Sequence, residues 1–190
     1  MKQEYSENKI FTKIDFTRKP LAKGEYEKCK FLNCDFSNAN LSEINFIDCT
    51  FDNCNLSNAS LNQTMLRDAI FTNCKMLGLH FEHCNQFGLT FSFDNCILDH
   101  SSFYKTKSKK TIFKNAKLHE VDFTECDLSS SLFESCDLAN AKFDHSNIEK
   151  ADFRTSFNYS IDPNTNNMKK AKFSLSGIAG LLDKYDIEIE

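Results

Sequence analysis

The chain has 190 residues and a formal net charge of −4, and its isoelectric point is near 5.8. General nucleic-acid binders are usually basic, so direct nucleic-acid binding is not expected, and the charge alone is too small to indicate a DNA mimic. Hydrophobic residues make up 41% of the chain but include 19 Phe and no Trp, beside only 5 Gly and 2 Pro. A conventional fold with many tight turns needs more Gly and Pro than this.

The N-terminal sequence MKQEYSENKIF lacks an apolar run of signal-peptide length. No segment approaches the roughly 18 apolar residues of a membrane span, so no membrane association is expected. The chain also carries nine cysteines. Thiols without an export signal are typical of the cytoplasm, where they stay reduced, and this is the predicted location.

A period of five begins after residues 1–10, which are predicted to cap the first coil. A large apolar residue occupies every fifth position, here named the central position, from Phe11 to Phe91 with one break at Gln86. The phase then slips by two residues. The period resumes at Leu98 and continues to Phe153 with one break at Ser108, and Phe173 is in phase beyond it.

A second position lies two residues before each central position and is here named the small position. It holds Ala, Ser, Thr or Val in many repeats, and it holds every cysteine of the chain. The site therefore selects for small size and tolerance of burial, and its cysteines are interpreted as small hydrophobic residues. They are Cys29, Cys34, Cys49, Cys54, Cys74, Cys84, Cys96, Cys126 and Cys136.

A period of five fits neither a helix nor a strand, but it fits a square coil whose sides are five residues long. Four sides give a 20-residue turn, and residues 20 apart match in type. Phe recurs at 11, 31, 51, 71 and 91, and Leu at 98, 118 and 138. Identical side chains are expected to stack in an all-β solenoid of about eight coils, about 4.8 Å apart.

The repeated unit reads CDFSN at 34–38, ANLSE at 39–43, CNLSN at 54–58, CDLAN at 136–140 and ADFRT at 151–155. This unit resembles the repeat of the pentapeptide-repeat family. The resemblance implies a right-handed quadrilateral β-helix over residues 11–173. The family fold also implies a filled interior, so no enzyme activity and no cofactor are expected.

The phase slip is predicted at residues 86–97. A two-residue insertion in a solenoid must protrude or kink the rod. It is interpreted as a tolerated corner insertion, with a recognition loop as the alternative, because insertions map to loops and only some loops bind.

The segment YKTKSKKTIFKNAK, residues 104–117, contains six lysines and no acidic residue between two acidic neighbourhoods. A solvated band that balances its neighbours is favoured, and a contact patch for an acidic protein or phosphate is the alternative. This lysine band consists of Lys105, Lys107, Lys109, Lys110, Lys114 and Lys117.

Residues 174–190 are predicted to form a capping helix and tail, since the open end of a solenoid needs a cap. Ser176 is a plausible helix N-cap. Ile178, Leu181, Leu182 and Tyr185 follow the spacing of an amphipathic helix stripe. Related pentapeptide-repeat proteins are often dimers through this end, so these four residues are also the candidate interface of a homodimer.

The sequence also contains candidate metal ligands and candidate catalytic groups, but their spacing favours neither metal binding nor catalysis. Cys29/Cys34 and Cys49/Cys54 have a nominal zinc spacing, but in the square coil each points inward from an adjacent side. HFEHC at 80–84 does not converge on one ion, and His119, Glu120 and Asp122 are interpreted as solvated surface. No metal site and no catalytic residue are predicted.

Three functions remain open from the sequence. The first is a cytoplasmic, non-enzymatic scaffold rod for an unknown protein partner. The second rests on similarity to the quinolone-resistance (Qnr) branch of the family, which resembles duplex DNA and acts on type II topoisomerases such as DNA gyrase. That branch carries long loops that this chain lacks, and the lysine band interrupts an acidic face. The third is a purely structural, oligomerising module.

Overall fold

The computed structural model describes residues 4–188. Eleven short strands, all paired in parallel, form two sheets, with a four-stranded order β1-β3-β5-β7 and a seven-stranded order β11-β10-β9-β8-β6-β4-β2. The strands are β1 (Glu4–Glu7), β2 (Ile10–Thr12), β3 (Gly24–Glu27), β4 (Lys30–Leu32), β5 (Asn45–Ile47), β6 (Thr50–Asp52), β7 (Met65–Arg67), β8 (Ala69–Thr72), β9 (Phe91–Asp94), β10 (Ile112–Lys114) and β11 (Leu132–Glu134). Three 3-10 turns span Phe81–His83, Ile178–Leu181 and Asp183–Tyr185.

The predicted all-β solenoid is confirmed. Strand pairs such as β4 and β6 place Phe31 opposite Phe51, a register of 20 residues. Isolated parallel bridges from Leu132 to Asp152 and from Asp152 to Lys172 continue the same stacking beyond β11. Where an N-terminal cap was predicted over residues 1–10, β1 pairs with β3 and belongs to the first coil; residues 1–3 lie outside the described part.

Stacked aromatic rings fill the core. The rings of Phe31 and Phe51 are parallel with centroids 4.8 Å apart, and Phe31 meets Phe46 of the next side edge-on at 82°. Both are favourable geometries for aromatic pairs. The void among the central residues of the N-terminal half measures only about 10 Å³, which leaves no room for a ligand.

The chain turns at most corners through a residue with positive φ, two positions after the central residue. Asn33, Asn53 and Asn73 have φ of 55°, 52° and 55°. Asn tolerates this left-handed conformation better than most residues. The Asn53 side chain also donates to Asn33 Oδ1 at 2.7 Å, so the corners are tied along the rod. This explains how a chain with few glycines turns so often.

One detail of the predicted stacking is wrong. The fourth Phe of the ladder is followed by Phe93, not Phe91, because β8 pairs with β9 in a register that places Phe71 opposite Phe93. Two residues are inserted before β9, in a segment here called the corner bulge, residues 85–90. Gln86 is exposed, while Leu89 and Phe91 are buried instead. The large Phe91 occupies a small position, opposite Ala69.

The C-terminal capping helix is also different from the prediction. The segment forms two 3-10 turns, and Gly177, not Ser176, precedes the first turn without a side-chain cap. Gly177 and Gly180 disfavour a helix by about 1 kcal/mol each relative to Ala. They are required here because a Cβ on Gly180 would lie 2.0 Å from the Tyr159 carbonyl oxygen.

Candidate interaction surfaces

The nine cysteines are buried and free. Burial raises the pKa of Cys49 and Cys136 to about 12, so these thiols stay protonated and unreactive at neutral pH. Within residues 4–188, no three His, Cys, Asp or Glu side chains are placed to hold a metal ion.

The small position does more than admit a small side chain. The Cys49 thiol lies 3.1 Å from the Tyr26 carbonyl oxygen in the preceding coil and donates to it. The hydroxyls of Thr64 and Ser146 make the same bond to Leu41 and Phe123, each at 2.8 Å. The column therefore selects for small side chains, and in several coils a Cys, Ser or Thr at this position also donates to a buried carbonyl of the preceding coil. The shared donor ability of Cys, Ser and Thr was the sequence signal for this.

The histidines singled out from the sequence lie beside surface carboxylates. In HFEHC, His80 Nδ1 lies 2.9 Å from Glu82 Oε1, while Cys84 is buried. His119 Nε2 lies 2.8 Å from Asp137 Oδ2 in the next coil, whereas Glu120 pairs with His100. The arrangement ties neighbouring coils together through polar contacts on the rod surface.

Hydrogen bonding holds the carboxyl group of Asp137 in its charged form. Partial burial pushes the pKa of Asp137 upward, but the adjacent His119 ring and the hydrogen bond from the Asn158 side chain outweigh it and lower the pKa. Asp137 is thus a charged structural link between coils.

The lysine band is spread around the rod and is partly neutralised. Lys105 pairs with Glu125, Lys109 with Asp127 and Lys114 with Glu134, at 3.2–3.4 Å between the charged atoms. Each acid belongs to the next coil, as expected for a band that balances its neighbours. Lys107, Lys110 and Lys117 form no ion pair among the described residues.

The C-terminal end leaves apolar side chains in contact with solvent. Ile178 is 44% exposed and Tyr185 is 53% exposed, while Leu175 outside the predicted stripe is 90% exposed. Leu181 packs against the core, and Leu182 is half-buried. The four predicted interface residues are therefore split between the cap's inner and outer faces.

A groove lies beside the corner bulge and was not predicted. It has a volume of about 370 Å³ and crosses three successive coils. Ile70 and Ile112 on its walls are 46% and 45% exposed, and Phe87 in the bulge is 80% exposed. The groove is lined by Asp68, Ala69, Ile70, Thr90, Phe91, Ser92, Lys109, Lys110, Thr111 and Ile112.

No helix within residues 4–188 is long and apolar enough to span a bilayer. No curated protein matches this sequence.

Known structures with the same architecture include two trypsin-treated variants of QnrB1, described as a plasmid-mediated fluoroquinolone resistance protein. One superposes with a TM-score of 0.72 at 16% identity, covering 98% of this chain and 92% of QnrB1. The other gives a TM-score of 0.64 at 17% identity, covering 97% of this chain and 99% of QnrB1. At this identity the likeness shows a shared fold.

The sequence model of the pentapeptide repeat region matches residues 25–92 and 89–158. These two matches overlap by a few residues and together span more than half of the chain. They agree with the coils, the corners and the alternation of small and central positions. The chain belongs to the pentapeptide-repeat family.

Proposed function

We propose that the protein is a cytoplasmic, non-enzymatic interaction rod whose outer surface binds a protein partner. The observation that supports this most is the packed core, since the void among the central residues of the N-terminal half measures only about 10 Å³, too small for a ligand. Binding must then use outward side chains, and exposed apolar residues such as Phe87 and Ile112 offer contact area that a purely structural rod does not need.

Affinity capture with quantitative mass spectrometry tests this proposal. The intact chain is compared with a Lys107→Glu, Lys110→Glu, Lys117→Glu variant, which changes the band lysines that lack ion pairs. Lys30→Glu serves as the control for a lysine outside the band. A partner retained by the control and lost by the triple variant assigns the band a binding role. A rod that enriches no protein over bare resin contradicts the proposal.

Protection of DNA gyrase, as a regulator that mimics DNA, is the second candidate. Its support is the fold shared with QnrB1 over nearly the whole chain. Three band lysines paired with acids of the next coil argue against a continuous acidic face. The corner bulge is also much shorter than the loops expected of that branch.

Gyrase supercoiling with a fluoroquinolone decides between the two candidates. The assay is run with and without this protein at matched salt, because electrostatic binding weakens as salt rises. Rescue of supercoiling supports topoisomerase protection. If the protein neither rescues nor inhibits supercoiling, topoisomerase protection is contradicted and the general interaction rod remains.

We also propose that the C-terminal cap joins two copies into a homodimer. Ile178 and Leu175 leave apolar area at the end of the rod, and two-fold dimers are the commonest closed assembly. Sedimentation equilibrium should give a dimer that Ile178→Asp converts to a monomer. A monomeric intact chain at high concentration contradicts this interface.

A further inference from the structure

The groove beside the corner bulge combines an apolar floor with a basic side. Ala69 and Phe91 are buried beneath it, and Ile70 and Ile112 are exposed on its walls. Lys109 and Lys110 line the end at the third coil, and Asp68 lines the opposite end. Such a surface fits an extended segment with apolar anchors and carboxylates.

The charges around the groove favour an acidic occupant. The Asp68 carboxylate already accepts a hydrogen bond from the Thr90 hydroxyl at 3.1 Å. Lys109 pairs with Asp127 at the surface, where such pairs are weak and exchangeable. Lys110 forms no ion pair among the described residues, so its cationic side chain remains available beside the apolar floor.

The chain itself carries a segment of matching chemistry. Residues 186–190 read DIEIE, an alternation of acidic and apolar residues. In an extended strand such an alternation puts both Ile on one side and the carboxylates on the other. Ile187 is 56% exposed, so this side chain is available for burial elsewhere. Two Ile side chains about 7 Å apart match a groove that crosses three coils.

The segment cannot reach the groove of its own chain. The near wall of the groove, at Ile112, lies three coils from the capped end, because ring stacking runs from Phe113 through Phe133 and Phe153 to Phe173; this is about 14 Å at the usual strand spacing. Ile187 lies two residues beyond the last cap turn, Asp183–Tyr185, and two residues extend at most about 7 Å, so Ile187 cannot span that distance. The occupant therefore comes from another molecule.

We infer that the groove binds the acidic tail, residues 186–190, of a second copy of this chain. Ile187 and Ile189 enter the apolar floor between Ile70 and Ile112. The carboxylates of Glu188 and Glu190 pair with Lys109 and Lys110. This contact is separate from the end-to-end homodimer proposed above, because it uses the side of the rod.

A labelled peptide tests the groove directly. A fluorescein-labelled peptide of residues 182–190 is titrated against the full chain carrying Ile187→Asp, which removes the competing tail. Ile112→Asp in the groove should weaken binding by about tenfold or more, the effect of losing one buried apolar contact. Ile10→Asp changes another exposed Ile, 63% exposed, in the same column of the first coil and should leave binding unchanged. Equal binding by both variants, or by a scrambled peptide, overturns the inference.

Cross-linking tests the contact in the intact protein. Copies labelled with ¹⁴N and ¹⁵N are mixed and treated with a carbodiimide, which joins lysines directly to carboxylates. We expect mixed-isotope links from Lys109 or Lys110 to Glu188 or Glu190, lost in Ile112→Asp and in Ile187→Asp. Ile178→Asp breaks the end-to-end dimer and should leave these links in place. Links lost only in Ile178→Asp, or links confined to single chains, overturn the inference.

Discussion

At the small position of the repeat, a side chain has to be short in nearly every coil, and in several coils it also donates a hydrogen bond to the preceding coil. Thr64 is fully buried, and its hydroxyl donates to the Leu41 carbonyl oxygen at 2.8 Å. A thiol makes the same contact more weakly, as in the 3.3 Å approach of Cys54 Sγ to the Phe31 carbonyl oxygen. The Cys thiol therefore contacts the same kind of carbonyl oxygen as the Thr and Ser hydroxyls, but its hydrogen bond is weaker.

Thr64→Val should lower the free energy of unfolding by about 1–1.5 kcal/mol, because it removes the buried hydrogen bond from the hydroxyl and leaves the Leu41 carbonyl oxygen with only the longer bond from the Ile44 amide. Thr64→Ser keeps the hydroxyl and should cost less. Cys54→Ala should cost about 1 kcal/mol or less, since it removes a weak bond and little volume. Urea denaturation of the three variants measures the order, and a larger loss for Cys54→Ala than for Thr64→Val would contradict the donor role.

The buried thiols also make stability depend on alkaline pH. Burial raises the pKa of Cys49 to about 12 and that of Cys126 to about 11, above the value of an unfolded thiol near 8.5. The folded state therefore holds these protons more tightly. Their contribution to stability is complete below about pH 8.5 and is lost as the pH rises toward the folded pKa.

We expect the urea midpoint to fall steadily between pH 8.5 and pH 11, and Cys49→Ser to reduce that fall. The same thiols should resist a disulfide reagent at pH 8 until the chain is denatured. Rapid labelling of Cys49 in the native protein, or a pH dependence unchanged in Cys49→Ser, would show that the thiol is not held protonated by burial.

At the scale of elements, two segments depart from the regular coil, and each does so for a packing reason. The corner bulge exposes Gln86 and buries Leu89 and Phe91, so the insertion fills the core with different residues than the period indicates. The C-terminal cap folds as 3-10 turns because glycines must approach Tyr159. The Ile161 amide donates to the Gly180 carbonyl oxygen at 2.8 Å, which fixes the cap on the last coils.

Gly180→Ala should undock the cap, because its Cβ would overlap the Tyr159 carbonyl oxygen and neither backbone can move without losing contacts. We expect a loss of about 1–3 kcal/mol and faster hydrogen exchange at the Ile161 amide. Ala179→Ser changes the exposed neighbour and is the matched control. Unchanged protection of Ile161 in Gly180→Ala would mean that the cap is held by other contacts.

At the scale of the whole molecule, each coil is stabilised mainly by the coils on either side. Stacking of Phe51 on Phe31 and on Phe71 at 4.8 Å and 4.9 Å is one link of a column that runs along the rod. In such a one-dimensional architecture, stability is nearly a sum of repeats and their interfaces. A defect in the middle interrupts the column for both halves.

Phe51→Asp should prevent folding, because it removes a ring worth about 3–5 kcal/mol and buries an unpaired charge at a further cost of several kcal/mol. Far-ultraviolet circular dichroism and size exclusion would show the loss. Thr50→Asp, one residue away on the outer surface, should fold normally. A folded Phe51→Asp chain would mean that the coils tolerate a gap in the column.

The sequence by itself determined the solenoid, its 20-residue turn and the inward columns, because a period of five repeated along the chain leaves few ways to bury one face. It also indicated that the cysteines are packing residues. The tertiary structure alone decided that Phe93 continues the ladder in place of Phe91, since two inserted residues allow either choice until packing against Phe71 and Phe113 selects one. It also decided the shape of the cap and the position of the groove. Both depend on contacts between segments about 20 residues or more apart in the chain, which a local pattern does not contain.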